Sequence, residues 1–355
     1  MKIVIYSTQI IPTTPDLKGY GGHEVVIGNL AKYIDENTEH TIHLFATEES
    51  YQPKSGHLFA VGKAGTNPVV AWKAYWNDER SRKALMESDI VVDASWGYYP
   101  YAVADKLKHI CHIHAGPDPG FRQPPPVKKP NLITVGFQLA RRFSEQTGLE
   151  WRAVHNGIDI SKYPFKREKE DYFLFVGRIY EFKAPHRFIQ ICDKMKHKGI
   201  IIGGSFGDNP EYRKLINDMV EKSKFVEYLG EVPFEKKVEL MQNAKAVVVP
   251  NVYRLPLKDG KGYAEFPEPF GLVPVEAAAV GSPVVSSPIY GLTETLIHGL
   301  NGFHANSIDE FIYYLKRIDE IKPEDCRRVA EHFRYERMGE EYLKLFEEVI
   351  EGRGW

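Results

Sequence analysis

The stretch FPEPFGLVPVEAAAVGSPVVSS, residues 266–287, combines a turn, a short helix and an apolar strand. Pro269, Phe270 and Gly271 form the predicted turn, and a helix is expected to begin at Leu272. A helix start presents free backbone N–H groups and a positive dipole end, both of which suit a phosphate. Glu268 stands before this helix start and Glu276 about one turn inside it, so both carboxylates can accept hydrogen bonds from one bound ligand.

The same alternation of helix and apolar strand extends in both directions and predicts parallel sheets covered by helices on both faces. In the first half the predicted strands are Lys2–Tyr6, Thr41–Ala46, Asp89–Ala94, His109–His114, Asn131–Val135 and Ala153–His155. In the second half they are Tyr172–Val176, Gly199–Ile202, Phe225–Leu229, Ala246–Val249 and Pro283–Ser286. The fold class is therefore α/β, with two doubly wound, Rossmann-like parallel-sheet domains.

A length of 355 residues suits two domains of ordinary size. The charged, proline-containing segment near residue 160 predicts an exposed boundary. We assign residues 1–160 to an N-terminal domain, 161–171 to a linker and 172–335 to a C-terminal domain. Residues 336–355 are expected to form a helix that crosses back to the N-terminal domain.

Composition restricts the class of partner and the compartment. The chain is 43% hydrophobic and 26% charged with a formal net charge of -2, which demands neither nucleic acid nor an anionic membrane. Its three cysteines have no paired spacing, and no long apolar run occurs. We therefore expect a cytoplasmic protein that binds no nucleic acid and makes at most peripheral membrane contact.

Two cations follow the predicted strand that opens the second domain, in the stretch FVGRIYEFKAP, residues 175–185. Arg178 and Lys183 come beyond the strand end, where ligands bind in open parallel sheets. Such a pair can neutralise a diphosphate, the arginine as a planar fork and the lysine as a point charge.

Two weaker patterns lie in the first domain. The loop KGYGGHE, residues 18–24, places Gly21 and Gly22 before the first helix, where a backbone without side chains can approach a phosphate. The strand in HICHIHAG, residues 109–116, presents a histidine near its end. His114 is the preferred candidate for contact with a ligand because it lies nearer that end. Alternation places His112 on the same face of the strand, so His112 remains an alternative.

The stretch at 266–287 closely resembles the signature of retaining glycosyltransferases of family 4, which have the two-domain GT-B fold with the domains facing across a cleft. The resemblance implies that Glu276 holds the ribose, that Glu268 and His114 contact the transferred sugar, and that Arg178 and Lys183 grip the donor diphosphate. The remaining donor-binding positions that it implies are Gly21, Gly22, Val232, Phe270, Gly271 and Leu272. It covers the second domain almost throughout and implies that this is the nucleotide-sugar-binding domain. It covers the first domain, which it implies lies on the acceptor side, only in patches.

Two segments, an insertion and a proline-rich loop, are not part of that family pattern. The insertion at 254–266 adds Glu265, which competes with Glu268 for the sugar; we retain Glu268 because Pro269, Phe270 and Gly271 follow it directly. The proline-rich loop at 116–130 is predicted to be extended. Either segment could bind the acceptor.

The function that the resemblance implies is transfer of a hexose from a nucleoside-diphosphate sugar to an acceptor hydroxyl, with retention of anomeric configuration. The acceptor could be a carbohydrate, a lipid-linked molecule or a small molecule. No Asp-x-Asp pattern and no His/Cys cluster occurs, so we expect no metal and no other cofactor. The alternatives are a catalytically inactive nucleotide-sugar-binding protein of the same fold and an NAD-dependent oxidoreductase, although the first glycine loop lies too far from the first strand for a dinucleotide fingerprint.

Overall fold

Parallel strands joined by helices make up both halves of the chain in a computed structural model, which describes residues 1–16, 21–121, 125, 127–204, 209–257 and 261–355. Residues 122–124 and 126 of the proline-rich loop, and 258–260 of the insertion, lie outside the described residues. The chain divides into two compact units. The described part of the first comprises 1–16, 21–158 and 334–355, and that of the second 159–333.

The first unit is built on a seven-stranded sheet. Up to residue 158 its elements are β1 (Lys2–Tyr6), α1 (Gly22–Asn37), β2 (Thr41–Ala46), β3 (His57–Ala60), α2 (Pro68–Asn77), α3 (Glu79–Glu87), β4 (Ile90–Asp93), a 3-10 helix (Tyr99–Lys106), β5 (Ile110–His114), β6 (Leu132–Thr134), α4 (Phe137–Thr147) and β7 (Trp151–Ala153). The strand order is β3-β2-β1-β4-β5-β6-β7 and every pair is parallel. The chain therefore winds outward from β1 in both directions, as in doubly wound folds.

The second unit is built on a six-stranded sheet and a separate hairpin. Its elements are a 3-10 turn (Ile160–Lys162), β8 (Glu170–Val176), α5 (Pro185–Met195), β9 (Gly199–Ile202), α6 (Pro210–Lys222), β10 (Val226–Tyr228), α7 (Phe234–Asn243), β11 (Ala244–Val249), β12 (Arg254–Pro256), β13 (Tyr263–Glu265), α8 (Leu272–Ala279), β14 (Val284–Ser286), α9 (Leu292–Thr295), β15 (Gly302–His304), α10 (Ile308–Leu315), a 3-10 turn (Ile318–Glu320), α11 (Pro323–Ala330) and a 3-10 turn (Glu331–Phe333).

The large sheet of this unit has the order β10-β9-β8-β11-β14-β15 with parallel neighbours, while β12 and β13 pair antiparallel. Both sheets thus reverse direction beside their first strand, which confirms the predicted pair of doubly wound, Rossmann-like sheets. Their central strands, such as β1, β4 and β11, are mainly buried apolar runs, as strands covered on both faces require.

The last helix, α12 (Tyr335–Ile350), belongs to the first unit. The ring of Tyr335 meets that of Tyr33 on α1 edge-on at 6.4 Å between centroids. A Cβ on Gly339 would lie 2.0 Å from Cδ1 of Tyr33, so only glycine allows this approach. The backbone N–H of Trp355 donates to Oδ1 of Asn131 at 2.8 Å, which fastens the end of the chain to the sheet.

The structure departs from the sequence-based expectations at several edges. The last strand of the first sheet is β7, which lies earlier than the predicted Ala153–His155, and β3, β12, β13 and β15 were not predicted. These edge strands are short, and β3, β12 and β13 are half-exposed, so they lack the continuous apolar run that marks a central strand. The segment expected to be an exposed linker holds a buried Tyr163, and β8 begins inside it at Glu170.

Candidate functional site

The carboxyl ends of β8 and β11 lie side by side where the second sheet reverses its winding. In doubly wound folds this reversal point is where ligands bind, because the loops after the two strands diverge and leave a crevice. Gly177 follows β8, and a Cβ on the neighbouring Gly203 would lie 1.9 Å from the Gly177 carbonyl oxygen. Gly203 has a φ of +142°, so a side chain is excluded there by both space and backbone conformation.

Glu268 and Lys183, both predicted site residues, meet at this edge. The ammonium of Lys183 donates to Oε2 of Glu268, and Nδ2 of Asn251 donates to the same oxygen at 2.8 Å. Asn251 follows β11 and is buried, whereas the Glu268 side chain retains 13% exposure. Among the described residues no hydrogen bond reaches Oε1 of Glu268, so this carboxylate is oriented by one oxygen and open at the other.

Glu276 has the same arrangement inside α8. Its Oε1 accepts hydrogen bonds from the Tyr163 hydroxyl at 2.9 Å and from Nζ of Lys237 at 2.8 Å, and its side chain is 11% exposed. Burial, followed in size by the charge of Glu276, raises the pKa of Tyr163 well above its usual range, so this hydroxyl stays a donor. The described part of the chain provides no partner for Oε2.

The turn between the two glutamates is shaped by two glycines. Gly271 precedes α8 with a φ of +89°, a left-handed conformation that disfavours side chains. The N–H of Gly291 donates to the Glu268 carbonyl oxygen at 3.0 Å, and a Cβ on Gly291 would lie 2.3 Å from Cα of Phe270. Phe270 is buried and Leu272, the first residue of α8, is half-buried. Contact with Gly291 therefore holds the start of α8 in place.

Arg178 and Val232 lie in two other loops of the second unit. Arg178 is half-buried after β8, with its guanidinium 5.6 Å from the ring centroid of Tyr180 and 5.8 Å from that of Phe182. Phe182 stacks in turn on Phe266, with 5.3 Å between ring centroids. Val232 is half-buried in the loop between β10 and α7.

Glu265 lies on the β12–β13 hairpin and has a different environment. Its Oε1 accepts from Nε and Nη2 of Arg254 on the opposite strand at 3.1 and 2.9 Å. The structure therefore brings Glu268, and not Glu265, into contact with Lys183.

The predicted residues of the first unit lie at the start of α1 and in β5. Gly21 precedes α1 with a φ of +154°, and Gly22 is the first residue of that helix. His114 is the last residue of β5 and is buried, as is His112. Nε2 of His114 lies 2.6 Å from the Asp118 carbonyl oxygen.

Sequence patterns did not point to Asn251, Lys237 or Tyr163. Each makes a contact between elements distant in the chain, and the one available signal was the position of Asn251 two residues after a predicted strand. Among the residues that the structure describes, no group of three or more His, Cys, Asp or Glu side chains could hold a metal ion. No described helix is long and apolar enough to cross a membrane.

Each unit has the architecture of a GT-B glycosyltransferase domain. A glycosyltransferase involved in avilamycin A biosynthesis, AviGT4, matches with a TM-score of 0.76 and 21% identity, covering 100% of this chain and 99% of that one. HepE of Anabaena, in complex with UDP and glucose, matches with a TM-score of 0.69 and 17% identity over 98% and 100% of the two chains. At these identities the likeness establishes the fold.

Sequence comparison places the second unit more narrowly. Residues 158–333 match the family model described as "Glycosyl transferases group 1". Glycogen synthase of Mycobacterium tuberculosis is 30% identical over 184 residues, covering 48% of this chain and 41% of that protein. The O-antigen chain mannosyltransferase RfbU of Salmonella typhimurium is 30% identical over 198 residues, covering 54% and 51%. The chain thus spans about half the length of these relatives or less. The match to the family model falls on the unit that holds both glutamates.

Proposed function

We propose that this protein transfers a hexose from a nucleoside-diphosphate sugar to an acceptor hydroxyl, as a glycosyltransferase of family 4. One observation carries the proposal. In the segment that matches group 1 glycosyltransferases, Glu268 and Glu276 each have one carboxylate oxygen held by protein donors and the other without a described partner. Two fixed carboxylates with unused acceptors beside a lysine suit a ligand that has several hydroxyls and a diphosphate.

Different residues would bind the ribose, the transferred sugar, the diphosphate and the base of the donor. Oε2 of Glu276 accepts from the ribose hydroxyls, since Glu276 lies inside α8, and Oε1 of Glu268 accepts from the transferred sugar. Arg178 and Lys183 neutralise the diphosphate, with the backbone of Phe270, Gly271 and Leu272 beside it. Val232 borders the base, and Gly21 and Gly22 approach the phosphates.

The chemistry follows from where charge develops. When the sugar leaves, negative charge grows on the diphosphate, and fixed cations stabilise that charge more than a proton donor to the leaving group would. We propose that the reaction retains the anomeric configuration, with a donor phosphate oxygen as the base for the acceptor. It proceeds without a metal ion, and His114 contacts the transferred sugar.

The acceptor in this proposal is a carbohydrate, a lipid-linked molecule or a small molecule. The three cysteines are unpaired and buried, which suits a reducing compartment, so we place the reaction in the cytoplasm.

A nucleotide panel tests this function. Thermal unfolding is followed with millimolar UDP, GDP, ADP and dTDP and their common sugar conjugates. A ligand present at about a thousand times its Kd should stabilise the folded state by about 4 kcal/mol. The stabilising donor is then incubated with and without candidate acceptors while release of the nucleoside diphosphate is measured.

Stabilisation with release of the diphosphate supports the transferase. Stabilisation without release under any acceptor would instead indicate an inactive nucleotide-sugar-binding protein. A panel in which no nucleotide shifts the unfolding temperature would contradict the donor site altogether.

A further inference from the structure

Four polar groups form an unbroken hydrogen-bonded chain inside the first unit. Oδ2 of Asp93 lies 3.0 Å from Nδ1 of His112, and Nε2 of His112 lies 3.3 Å from Nδ1 of His114. Nε2 of His114 then lies 2.6 Å from the carbonyl oxygen of Asp118. Asp93 ends β4 and is paired in register with His112 on β5, so the sheet itself sets the spacing of the first link.

The protons of this chain can be counted from its last member. A carbonyl oxygen only accepts, so Nε2 of His114 must carry a hydrogen. When His114 is neutral its Nδ1 is bare and accepts, and Nε2 of His112 therefore carries a hydrogen too. One proton remains between Nδ1 of His112 and the Asp93 carboxylate. Nε2 of His114 is protonated wherever that last proton lies.

Burial decides that His114 is the neutral ring. Burial, followed in size by the charge of His112, lowers the pKa of His114 to about 3. Asp93 and His112 are wholly buried, and the carboxylate lies against His112 rather than His114. The Asp93 carboxylate can therefore balance a positive charge on the ring of His112 but not one on the ring of His114.

Neighbouring side chains hold Asp93 and His112 in this hydrogen-bonded arrangement. The Tyr98 ring stacks on His112 at 3.8 Å between centroids, and its hydroxyl donates to the Pro119 carbonyl oxygen at 2.7 Å. The backbone N–H of Ser95 and its hydroxyl both donate to Oδ1 of Asp93, at 3.0 and 2.6 Å. Oδ2 of Asp93 is thereby left to His112.

We propose that Asp93 and His112 are positioning residues that keep His114 as the Nε2–H tautomer, so that His114 serves the transferred sugar as a hydrogen-bond donor. In the structure the Asp118 carbonyl oxygen accepts from that donor, and a sugar hydroxyl oxygen would replace it on binding. This inference rests on the proposed function for the identity of the ligand alone. The tautomer follows from the protein.

Nitrogen NMR tests the tautomer directly. In the full chain labelled with ¹⁵N-histidine, long-range ¹H–¹⁵N correlations distinguish protonated from bare ring nitrogens. The spectra of His114→Gln and His112→Gln assign the two rings by difference. We expect His114 to show a protonated Nε2 and a bare Nδ1, unchanged between pH 6 and 8. A bare Nε2 on His114 at any pH in this range would overturn the proposal.

A matched pair of variants separates positioning from packing. In Asp93→Asn the amide oxygen can still accept from Ser95 and the amide N–H can donate to Nδ1 of His112, so the order of donors toward His114 is kept. Asp93→Leu has the same branching of side-chain heavy atoms and keeps neither link. We expect the His114 signals and kcat/KM of Asp93→Asn to stay within about twofold of wild type, and kcat/KM of Asp93→Leu to fall roughly tenfold.

An equal fall in kcat/KM in both variants, or a changed His114 tautomer in Asp93→Asn, would overturn the positioning role. If Asp93→Leu does not fold, the wild-type spectrum and the tautomer of His114 in Asp93→Asn still test the proposal. The spectra need no substrate. A failure to detect sugar transfer would therefore contradict the proposed function and leave the tautomer result intact.

Discussion

Lys183 and Glu268, which lie 85 positions apart in the chain, form an ion pair at the carboxyl edge of the second sheet. Both side chains are mostly buried, at 22% and 13% exposure. The lysine proposed to bind the donor diphosphate is therefore paired with the glutamate proposed to contact the sugar. If the diphosphate of the sugar donor binds Lys183 in place of Glu268, Asn251 still donates to Oε2 of Glu268 and keeps this carboxylate oriented.

Replacement of this lysine tests the link between the ion pair and donor binding. Lys183→Ala should reduce kcat/KM by a factor equivalent to about 2 to 4 kcal/mol, because a cation facing the leaving diphosphate is lost. It should also lower the free energy of unfolding by about 1 to 3 kcal/mol, since Glu268 keeps a single described donor. Lys214→Ala, which breaks an exposed pair with Asp218, is the control and should change neither quantity. Unchanged kcat/KM in Lys183→Ala would remove this residue from the site.

The two glutamates should differ in the step that they affect. Glu276→Gln should weaken binding of the free nucleotide and of the donor alike, because it is proposed to hold the ribose. Glu268→Gln should leave nucleotide affinity nearly intact while kcat falls, because its contact strengthens as charge develops on the sugar. Calorimetry with the nucleoside diphosphate and steady-state kinetics measure the two effects.

Glu265→Gln is the matched control for that experiment. Its partner is Arg254 on an exposed hairpin, so kcat should stay close to wild type. A large fall in kcat in Glu265→Gln, together with an unchanged kcat in Glu268→Gln, would reverse the assignment of the sugar-binding carboxylate.

Removal of metal ions tests how the diphosphate charge is neutralised. Because Arg178 and Lys183 are proposed to supply that neutralisation, activity should survive exhaustive treatment with EDTA. The measurement is the initial rate before and after chelation, with Mg²⁺ or Mn²⁺ added back. Complete loss, restored only by the ion, would show that a metal takes this role.

Acid should destabilise the folded chain through His114. The pKa of this ring is about 3 when folded and 6.5 as an ordinary histidine, so below pH 6.5 the unfolded chain binds a proton that the folded chain does not. The free energy of unfolding therefore falls as the pH falls, by up to about 1.4 kcal/mol per pH unit at this one group.

Urea unfolding at pH 7 and pH 5 measures that loss. Wild type should lose about 2 kcal/mol more than His114→Gln over this interval. Equal losses in wild type and His114→Gln would contradict a neutral, buried His114.

Local patterns in the chain were enough to predict the architecture and the position of the main motif. Buried runs such as Val247–Val249 mark central strands because both faces of a parallel sheet are covered, and the glycine before Leu272 marks a helix start. Both signals depend on residues within a few positions of one another. Edge strands such as β3 carry a weaker signal because they are short and half-exposed.

The partners of each candidate residue depended on tertiary structure. Asn251 reaches Glu268 because β11 lies beside β8, and Tyr163 reaches Glu276 across 113 positions of chain. His112 meets Asp93 because β4 and β5 are neighbours in register. Periodicity records which face of an element is buried but not which elements become neighbours, because strand order is set by the packing of the whole domain.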